Sequence, residues 1–450
     1  MTTDPFQDAL DYLYSFVSFE RQAKWNYNNK SFNLQRYTQF LHHLGQPQNP
    51  LQPIHVAGSD GKGSVCTILS HVLHRMGYRV GTYLSPHLED IRERIRINGE
   101  WIPQADFIFW TNFLKEKANE LPPLPDGYAT FFELMTAMAF LHLRQQNVDF
   151  AVIETGLGGR LDATNVMQPL ITVITHISME HTMQLGNTLQ QIADEKLGIS
   201  RPGVPVVIGN QEPELLPHFQ SRLENHTAPV IFTDRDYTIT HHTAQNFSRT
   251  LQVQRKQDKQ LRNIQLPLLG QYQIQNALTA LAVLDHLQQT NHIPPIPGKE
   301  LNQHFHQLKW DGRFEIRFRH NHPWLLLDVA HTLKGAQALR ASLDELFTDQ
   351  QRVFVLGCLH GKNIRAIVRA LVRPADKIIL TQAPTPRGLS IPEMTQHLDD
   401  LLAPNQLTAK IASPKAAFDY AKSLLQTNHL LIVTGSIYLV GEIRKTLKED

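Results

Sequence analysis

Cysteine is scarce. The 450 residues include only Cys66 and Cys358, too few for a disulfide framework or a thiolate zinc site, so a reducing compartment is expected. An excess of charge of one sign is missing too: 43 basic and 42 acidic side chains leave a formal charge of +1. Gripping a phosphate backbone takes many uncompensated cations, so no nucleic-acid partner is expected. Long apolar runs are also lacking. The most membrane-like stretch, 130–143, contains Glu133 and His142 and is too short to span a bilayer; it reads as a buried helix. The opening residues, MTTDPFQDALDYLYSF, carry acids and lack the basic segment and apolar core of a signal peptide. A soluble, cytoplasmic protein without a membrane partner is the expectation. What is present is an ordinary globular composition, 42% hydrophobic and 19% charged, which excludes disorder, collagen and coiled coil as the main state. The length leaves room for two or three domains.

Short β-branched runs alternate with helical stretches. Strands are expected at 53–57, 79–84, 148–154, 170–176 and 204–208, and helices at 64–76 and 189–199. This β-then-α rhythm predicts a mostly parallel sheet with helices on both faces. Residues 230–266 are polar with short alternating runs at 237–240 and 250–253, a pattern for a small antiparallel appendage, followed by a helix over 272–287. The prolines of TNHIPPIPG, 290–298, make that segment a loop. A fresh βα series starts after Trp310-Asp311-Gly312-Arg313, with strands at 324–329, 352–357, 377–381 and 430–434. The expected division is a domain of residues 1–309 and a smaller α/β domain of residues 310–450, joined through a linker around 308–320.

His55-Val56-Ala57-Gly58-Ser59-Asp60-Gly61-Lys62-Gly63-Ser64-Val65 stands between a strand and a helix. Glycines let a backbone curl so that its N–H groups face phosphate oxygens, and a helix start adds its positive dipole end. Lys62 can reach β- and γ-phosphates, and Ser64 can cap the helix or approach phosphate or magnesium. The loop departs from the strict GxxxxGK[ST] pattern because Gly63 intervenes before the hydroxyl. By itself it is equally a glycine-rich turn with a solvated lysine; the strand before and helix after favour a nucleotide.

Glu154 ends a hydrophobic strand, and a later strand leads to Glu180-His181. Ligands of parallel α/β sheets gather beyond the carboxyl ends of the strands, so Glu154 aims where Lys62 aims. A carboxylate, an imidazole and hydroxyls suit magnesium when water and phosphate complete the shell. Singly, Glu154 reads as a turn-capping carboxylate and His181 as one of 23 histidines; their placement after successive strands, downstream of the phosphate loop, favours the site. Lys196 alone reads as an exposed helix-end lysine.

Together these residues resemble the folylpolyglutamate synthase/dihydrofolate synthase family, a branch of the Mur-ligase-like ATP-dependent amide ligases. The phosphate loop typical of that family, AGTNGKGS/T, is similar to Ala57 through Ser64. SPHL at 85–88 leads to ERI at 93–95, TFFE stands at 130–133, and GLGGRLDATN is intact at 156–165. EKLGI at 195–199, the 273–280 helix motif, Gly312-Arg313, DVAH at 328–331, PRG at 386–388 and GSIY at 435–438 follow in order.

The resemblance implies a P-loop-type N-terminal domain, a Rossmann-like C-terminal domain, and an enzyme that joins L-glutamate to dihydropteroate and to reduced folates. It implies that Ser59, Asp60, Gly61, Lys62, Gly63 and Ser64 hold ATP phosphates, with Asn276, Arg313 and Asp328 also contacting ATP. Ser85, Glu154 and His181 are the implied magnesium ligands. Lys62, Lys196 and His331 are the implied catalytic residues, Lys196 as a carbamate. The pterin-bearing substrate would meet Phe32, Asn33, Leu34 and Gln35, then Thr130, Phe131, Phe132 and Glu133, and finally Leu161, Asp162 and Ala163. Small molecules are the expected partners and a monomer the expected state. Several positions differ from the usual pattern: Asp60 replaces asparagine, Glu180 replaces aspartate, Thr332-Leu333 replaces Asn-Pro, and Gly361 and Asn363 replace aspartates. The alternatives are a Mur-type ligase with another carboxylate acceptor, such as a peptidoglycan precursor, and a catalytically weak nucleotide-binding protein.

Overall fold

The apolar run PIHVA becomes strand β1 (Pro53–Ala57), buried along its whole length. It lies in the middle of a sheet with β2 (Val80–Tyr83), β3 (Ile95–Ile97), β4 (Glu100–Trp101), β5 (Phe150–Glu154), β6 (Ile171–Ile174), β7 (Val206–Ile208) and β8 (Val230–Phe232). The order is β4-β3-β2-β5-β1-β6-β7-β8. Pairings from β2 to β8 are parallel, and the β2–β3–β4 edge is antiparallel. The computed structural model describes residues 4–20, 28, 32–121, 129–245, 247–259, 261–319, 322–403, 405–426 and 428–449.

Central strands covered on both faces are largely apolar rather than alternating, which is why β1, β5 and β6 are legible as Val/Ile-containing runs. Helices Lys62–Arg75 and Gln273–Gln289 share a core with Ile54, Val56, Val152 and Val173 on one face. Helix Phe131–Gln145, the buried helix expected at 130–143, packs with Ala151 and Ile153 on the other. Among the described residues, no helix is long and apolar enough to cross a membrane.

The appendage is a three-stranded antiparallel sheet: β9 (Tyr237–Gln245), β10 (Ser248–Arg255) and β11 (Leu261–Leu266). Its strands are longer than the alternating runs at 237–240 and 250–253. Alternation brings Leu251, Val253, Ile264 and Leu266 inward against helix Gln273–Gln289. A buried Arg262–Asp285 pair, with Tyr237 donating to the same carboxylate, ties sheet to helix.

A third sheet comprises β12 (Glu315–Arg319), β13 (His322–Leu327), β14 (Gln351–Leu356), β15 (Lys377–Leu380), β16 (Leu407–Lys410) and β17 (His429–Thr434) in the order β12-β13-β17-β14-β15-β16. All but the β12–β13 pairing are parallel. This second lobe docks on the first through buried polar contacts. Arg444, held within its own lobe by Glu315, pairs across the boundary with Glu89 at 2.6 Å, and Arg249 pairs with Glu345 at 2.6 Å. Gly441 of helix Ile437–Glu449 lies so close to Leu88 that a Cβ would overlap the Leu88 carbonyl oxygen.

Candidate active site

The carboxyl ends of β1, β5 and β6 open toward the second lobe, and the phosphate loop begins where β1 ends. Helix Lys62–Arg75 starts directly at Lys62 behind a left-handed Gly61 (φ 89°) with no side-chain cap. Of the two roles open to Ser64, capping the helix is not taken up: Ser64 sits inside the first turn. Gly58 and Gly61 both have positive φ, and a Cβ on either would strike Thr175 or Asn276 respectively. Glycine thus lets β6 and helix Gln273–Gln289 close on the loop. The N–H groups of Ser59 and Asp60 both donate to the His176 carbonyl, so those donors serve the fold. Asp60 accepts from the Ser178 hydroxyl at 2.7 Å. The first-turn N–H groups at Lys62, Gly63 and Ser64 have no acceptor within the helix and remain for an anion.

Lys62 Nζ folds back over the loop, donating to the Gly58 carbonyl at 3.1 Å and the Ser59 carbonyl at 3.3 Å, and lies 3.9 Å from Glu154 Oε1. Glu154 is buried and accepts from the Ser85 N–H at 3.1 Å. Burial pushes its carboxyl up, against the pull of Lys62. His181 begins the short helix Thr182–Leu185 in a left-handed conformation. Desolvation lowers its imidazole, Lys362, Lys196 and Lys62 add to the lowering and Glu180 opposes it, while 39% of the side chain stays open to solvent. The Glu154 carboxylate, with Ser85 beside it, is the kind of oxygen donor that suits magnesium if substrate phosphate and water supply most of the shell, and the His181 imidazole is a further candidate donor. Among the described residues, no three His, Cys, Asp or Glu side chains cluster closely enough to hold a metal ion by themselves.

Lys196 corrects the reading of an exposed helix-end lysine. It is buried (4% exposed) within helix Leu189–Leu197, and its Nζ donates to the Gly58 carbonyl at 2.8 Å. Burial first, then Lys62, lowers its ammonium to about 7. No local spacing signals this, because Gly58 lies 138 positions away.

The second lobe reaches the same cleft. Asp328 is buried and accepts from the N–H groups of Phe314 and Ala330, both at 2.8 Å, and from Tyr272 Oη at 3.0 Å. Burial raises its carboxyl, while Arg313 opposes the rise. Arg313 lies over the Trp310 ring, 5.7 Å from its centroid. Asn276 donates to Gln273 at 2.9 Å and faces Gly61. His331 Nδ1 is 2.9 Å from the Val329 carbonyl, and its Nε2 is 3.4 Å from Glu180 Oε1. Lys362 donates to the same Glu180 oxygen at 2.7 Å. Neither Lys362 nor Tyr272 was singled out from sequence.

Of the residues implied for the pterin substrate, Thr130, Phe131, Phe132 and Glu133 open helix Phe131–Gln145. Thr130 and Glu133 form a reciprocal capping box there. Arg36 closes on Glu133 at 2.8 Å, bringing helix Leu34–His43, with Asn33 at its cap and Leu34 and Gln35 in its first turn, to the same place. Phe32 packs on Phe19, and Phe131 stacks on Tyr14. Phe132 packs against Gly156, where a Cβ would come within 2.5 Å of the ring. Asp162 is not free for a ligand. It is buried, accepting from the N–H groups of Gly156 and Leu157 and from Thr164, and it organises the loop. Leu161 and Ala163 are buried beside it.

Two family models match: the Mur ligase middle domain over residues 56–284 and the Mur ligase glutamate ligase domain over residues 312–437. The dihydrofolate synthase/folylpolyglutamate synthase of Bacillus subtilis is 31% identical over 440 residues, 96% of this chain and 100% of that protein. This chain belongs to the folylpolyglutamate synthase/dihydrofolate synthase family of Mur ligases. The dihydrofolate synthetase of Saccharomyces cerevisiae is 32% identical over 430 residues, covering 91% of this chain and 96% of that one. Among solved structures, the folylpolyglutamate synthase of Mycobacterium tuberculosis complexed with ADP superposes with a TM-score of 0.86 at 28% identity, covering 99% of each chain. The family's α/β architecture of two lobes and an antiparallel appendage is thereby this chain's own.

Proposed function

We propose that this chain is an ATP-dependent acid–amino-acid ligase that joins L-glutamate to dihydropteroate and to the glutamate tail of reduced folates. The observation that carries the reading is convergence: Lys62, Lys196 and Glu154 meet at one phosphate loop, and His331 faces them from the second lobe through Glu180.

A carboxylate is a poor electrophile, so it must first take the γ-phosphoryl group of ATP and become an acyl phosphate. Phosphoryl transfer is governed by positioning and charge neutralisation. Lys62 and the first-turn N–H groups hold the phosphates. Asn276, beside the phosphate loop, and Arg313 and Asp328, from the linker and the second lobe, hold the rest of the nucleotide. Magnesium, on Ser85, Glu154 and His181, supplies further charge neutralisation when bound. The glutamate amine then attacks the acyl carbon, phosphate leaves, and an amide remains. His331 stands by the reacting groups. Lys196, buried and with a lowered ammonium pKa, is suited to add CO₂ and become a carbamate. The acceptor's pterin is read by Phe32 and the Thr130–Glu133 turn.

Division into a nucleotide-binding domain (residues 1–309) and a C-terminal domain (310–450), a monomeric state and a cytoplasmic location belong to the same proposal. The test is ADP release with glutamate and, in turn, dihydropteroate, a reduced folate and a UDP-muramyl acceptor. Release with the first two supports the reading; release with the muramyl acceptor alone overturns it.

A further inference from the structure

Helix Leu189–Leu197 carries Lys196 in its last turn, where the final carbonyls have no partner further along the helix. The carbonyls of Asp194, Lys196 and Leu197 accept from the N–H groups of Gly198, Ile199 and Ser200, just beyond the helix. Those of Glu195 and Gly198 are taken by a distant loop. The Arg160 N–H donates to the Glu195 carbonyl at 2.8 Å, and Asn165 Nδ2 donates to the Gly198 carbonyl at 3.0 Å. Lys196 sits between the two. We propose that Asn165 is the positioning residue for Lys196, fixing the end of its helix so that Nζ stands against Gly58. The inference rests on the role given to Lys196 above.

Asn165 is buried at the end of the 156–165 motif. Its Nδ2 also donates to the Arg160 carbonyl at 3.0 Å, so both amide hydrogens are given to main-chain carbonyls. Its Oδ1 accepts from Arg201 Nη2 at 2.8 Å, and the same nitrogen donates to the Asn165 carbonyl at 2.7 Å. Carbonyls on one side and a guanidinium on the other allow the amide a single orientation. An aspartate of the same shape keeps Arg201 but has no hydrogen to give, and it sets an anion against two carbonyl oxygens. Arg201 Nη1 approaches the Gly198 carbonyl only at 3.5 Å, too far to replace the lost donor.

Packing closes the same joint. A Cβ on Gly159 would lie 2.8 Å from the Lys196 carbonyl oxygen and 2.9 Å from that of Glu195, and a Cβ on Gly198 would lie 2.4 Å from the Arg160 Cβ. Loop and helix backbones therefore touch directly, and the helix cannot turn about its axis without a clash. The Arg160 and Glu195 side chains add an ion pair at 2.8 Å. Lys196 Nζ reaches the Gly58 carbonyl at 2.8 Å from this end of the helix, so a displacement at the joint is carried to the phosphate loop. Residues 159–165 thus serve the lysine rather than the acceptor, in keeping with an Asp162 whose oxygens are spent on its own loop.

Asn165→Asp is the test, set against the native chain in steady-state kinetics and in the ¹³C-bicarbonate NMR signal of a lysine carbamate. Loss of two hydrogen bonds should lower kcat about tenfold, with the KM values for dihydropteroate and ATP within about twofold of native. The carbamate signal should weaken with kcat. If Asn165→Asp does not fold, Arg201→Met serves: it keeps both amide donors, removes the partner that orients them, and should lower kcat about threefold at unchanged KM values. A raised KM for dihydropteroate at native kcat would assign the joint to the acceptor. Native kcat and signal would leave it without a role, and a fall in kcat with both KM values rising would make it a support of the whole fold. Each of these overturns the proposal. A native chain without a carbamate signal, together with an active Lys196→Ala variant, strikes the role of Lys196 and this inference with it. A native signal that Asn165→Asp leaves at full strength strikes the positioning role alone.

Discussion

Lys362 donates to Glu180 Oε1 at 2.7 Å, and the two residues come from opposite lobes. Glu180 is largely buried, at 12% side-chain exposure, and the same oxygen lies 3.4 Å from His331 Nε2. Burial works against its ionisation, yet Lys362 and the neighbouring imidazoles hold its carboxyl well below the usual range. This chain carries Gly361 and Asn363 around the lysine, so Lys362 finds its counter-charge across the cleft.

Removing the cation should therefore be worse than removing the charge on both sides. Lys362→Met leaves a buried carboxylate uncompensated, a loss of about 3 kcal/mol at such sites, and should lower kcat/KM at least roughly tenfold. In the double variant Lys362→Met/Glu180→Gln the carboxylate charge is gone too, and part of that loss should return. Steady-state kinetics on both, with the Glu180→Gln single variant, completes a double-mutant cycle. Strictly multiplicative losses would show that the pair does not couple the lobes.

Carbamate formation at Lys196 should follow the neutral amine. With the ammonium lowered to about 7 by burial and by Lys62, the reactive form falls as pH drops: about a tenth neutral at pH 6 and about nine tenths at pH 8. Glu180, Asp60 and Asp162 raise the value and temper the effect. A ¹³C-bicarbonate NMR signal from the protein should grow across that interval and vanish in Lys196→Ala, along with ligase activity. A full-strength signal at pH 5.5, or an active alanine variant, contradicts the assignment.

Legibility in the sequence followed burial. The central strands β1, β5, β6, β14 and β17 are Val/Ile/Leu runs covered on both faces, and their positions could be read directly. Edge strands could not. β12 is EIRFR and β16 is LTAK, each short, partly exposed and without the continuous apolar run of a strand covered on both faces. The phosphate loop, Glu154 and the TFFE turn were visible because each is local to one strand end or helix start. Lys196, Lys362 and Arg36 acquire their meaning from partners 138, 182 and 97 positions away, and no spacing rule reaches that far. Asp162 shows the opposite failure: it lies inside the motif, but its oxygens are occupied by its own loop.

Arg36 offers a test of the acceptor site. Glu133 both caps helix Phe131–Gln145 and accepts two hydrogen bonds from Arg36. Burial already raises its carboxyl against the pull of Arg36. Arg36→Met should raise it further and loosen the turn that carries Phe132. The expected result is a KM for dihydropteroate increased about tenfold, with the KM for ATP little changed. An equal rise for both substrates would mean that the pair supports the fold as a whole rather than the acceptor site.

Gly441 should act as a gauge of lobe docking. A Cβ there overlaps the Leu88 carbonyl oxygen, a backbone atom that cannot swing aside. The adjoining segment is fixed: Glu93 accepts from the N–H groups of Leu88, Glu89 and Asp90, and Glu89 is clamped by Arg444. Gly441→Ala must therefore push helix Ile437–Glu449 away from the first lobe, at a cost of about 1–3 kcal/mol for a forced overpacking. The sheet of the second lobe does not depend on that contact, so each lobe should keep its secondary structure by circular dichroism. Small-angle scattering should show a larger radius of gyration, and ligase activity should fall because Asp328 and His331 move away from Lys62. An alanine variant with unchanged scattering and full activity would show that the lobes tolerate the shift, and that the Leu88–Gly441 contact does not set the cleft.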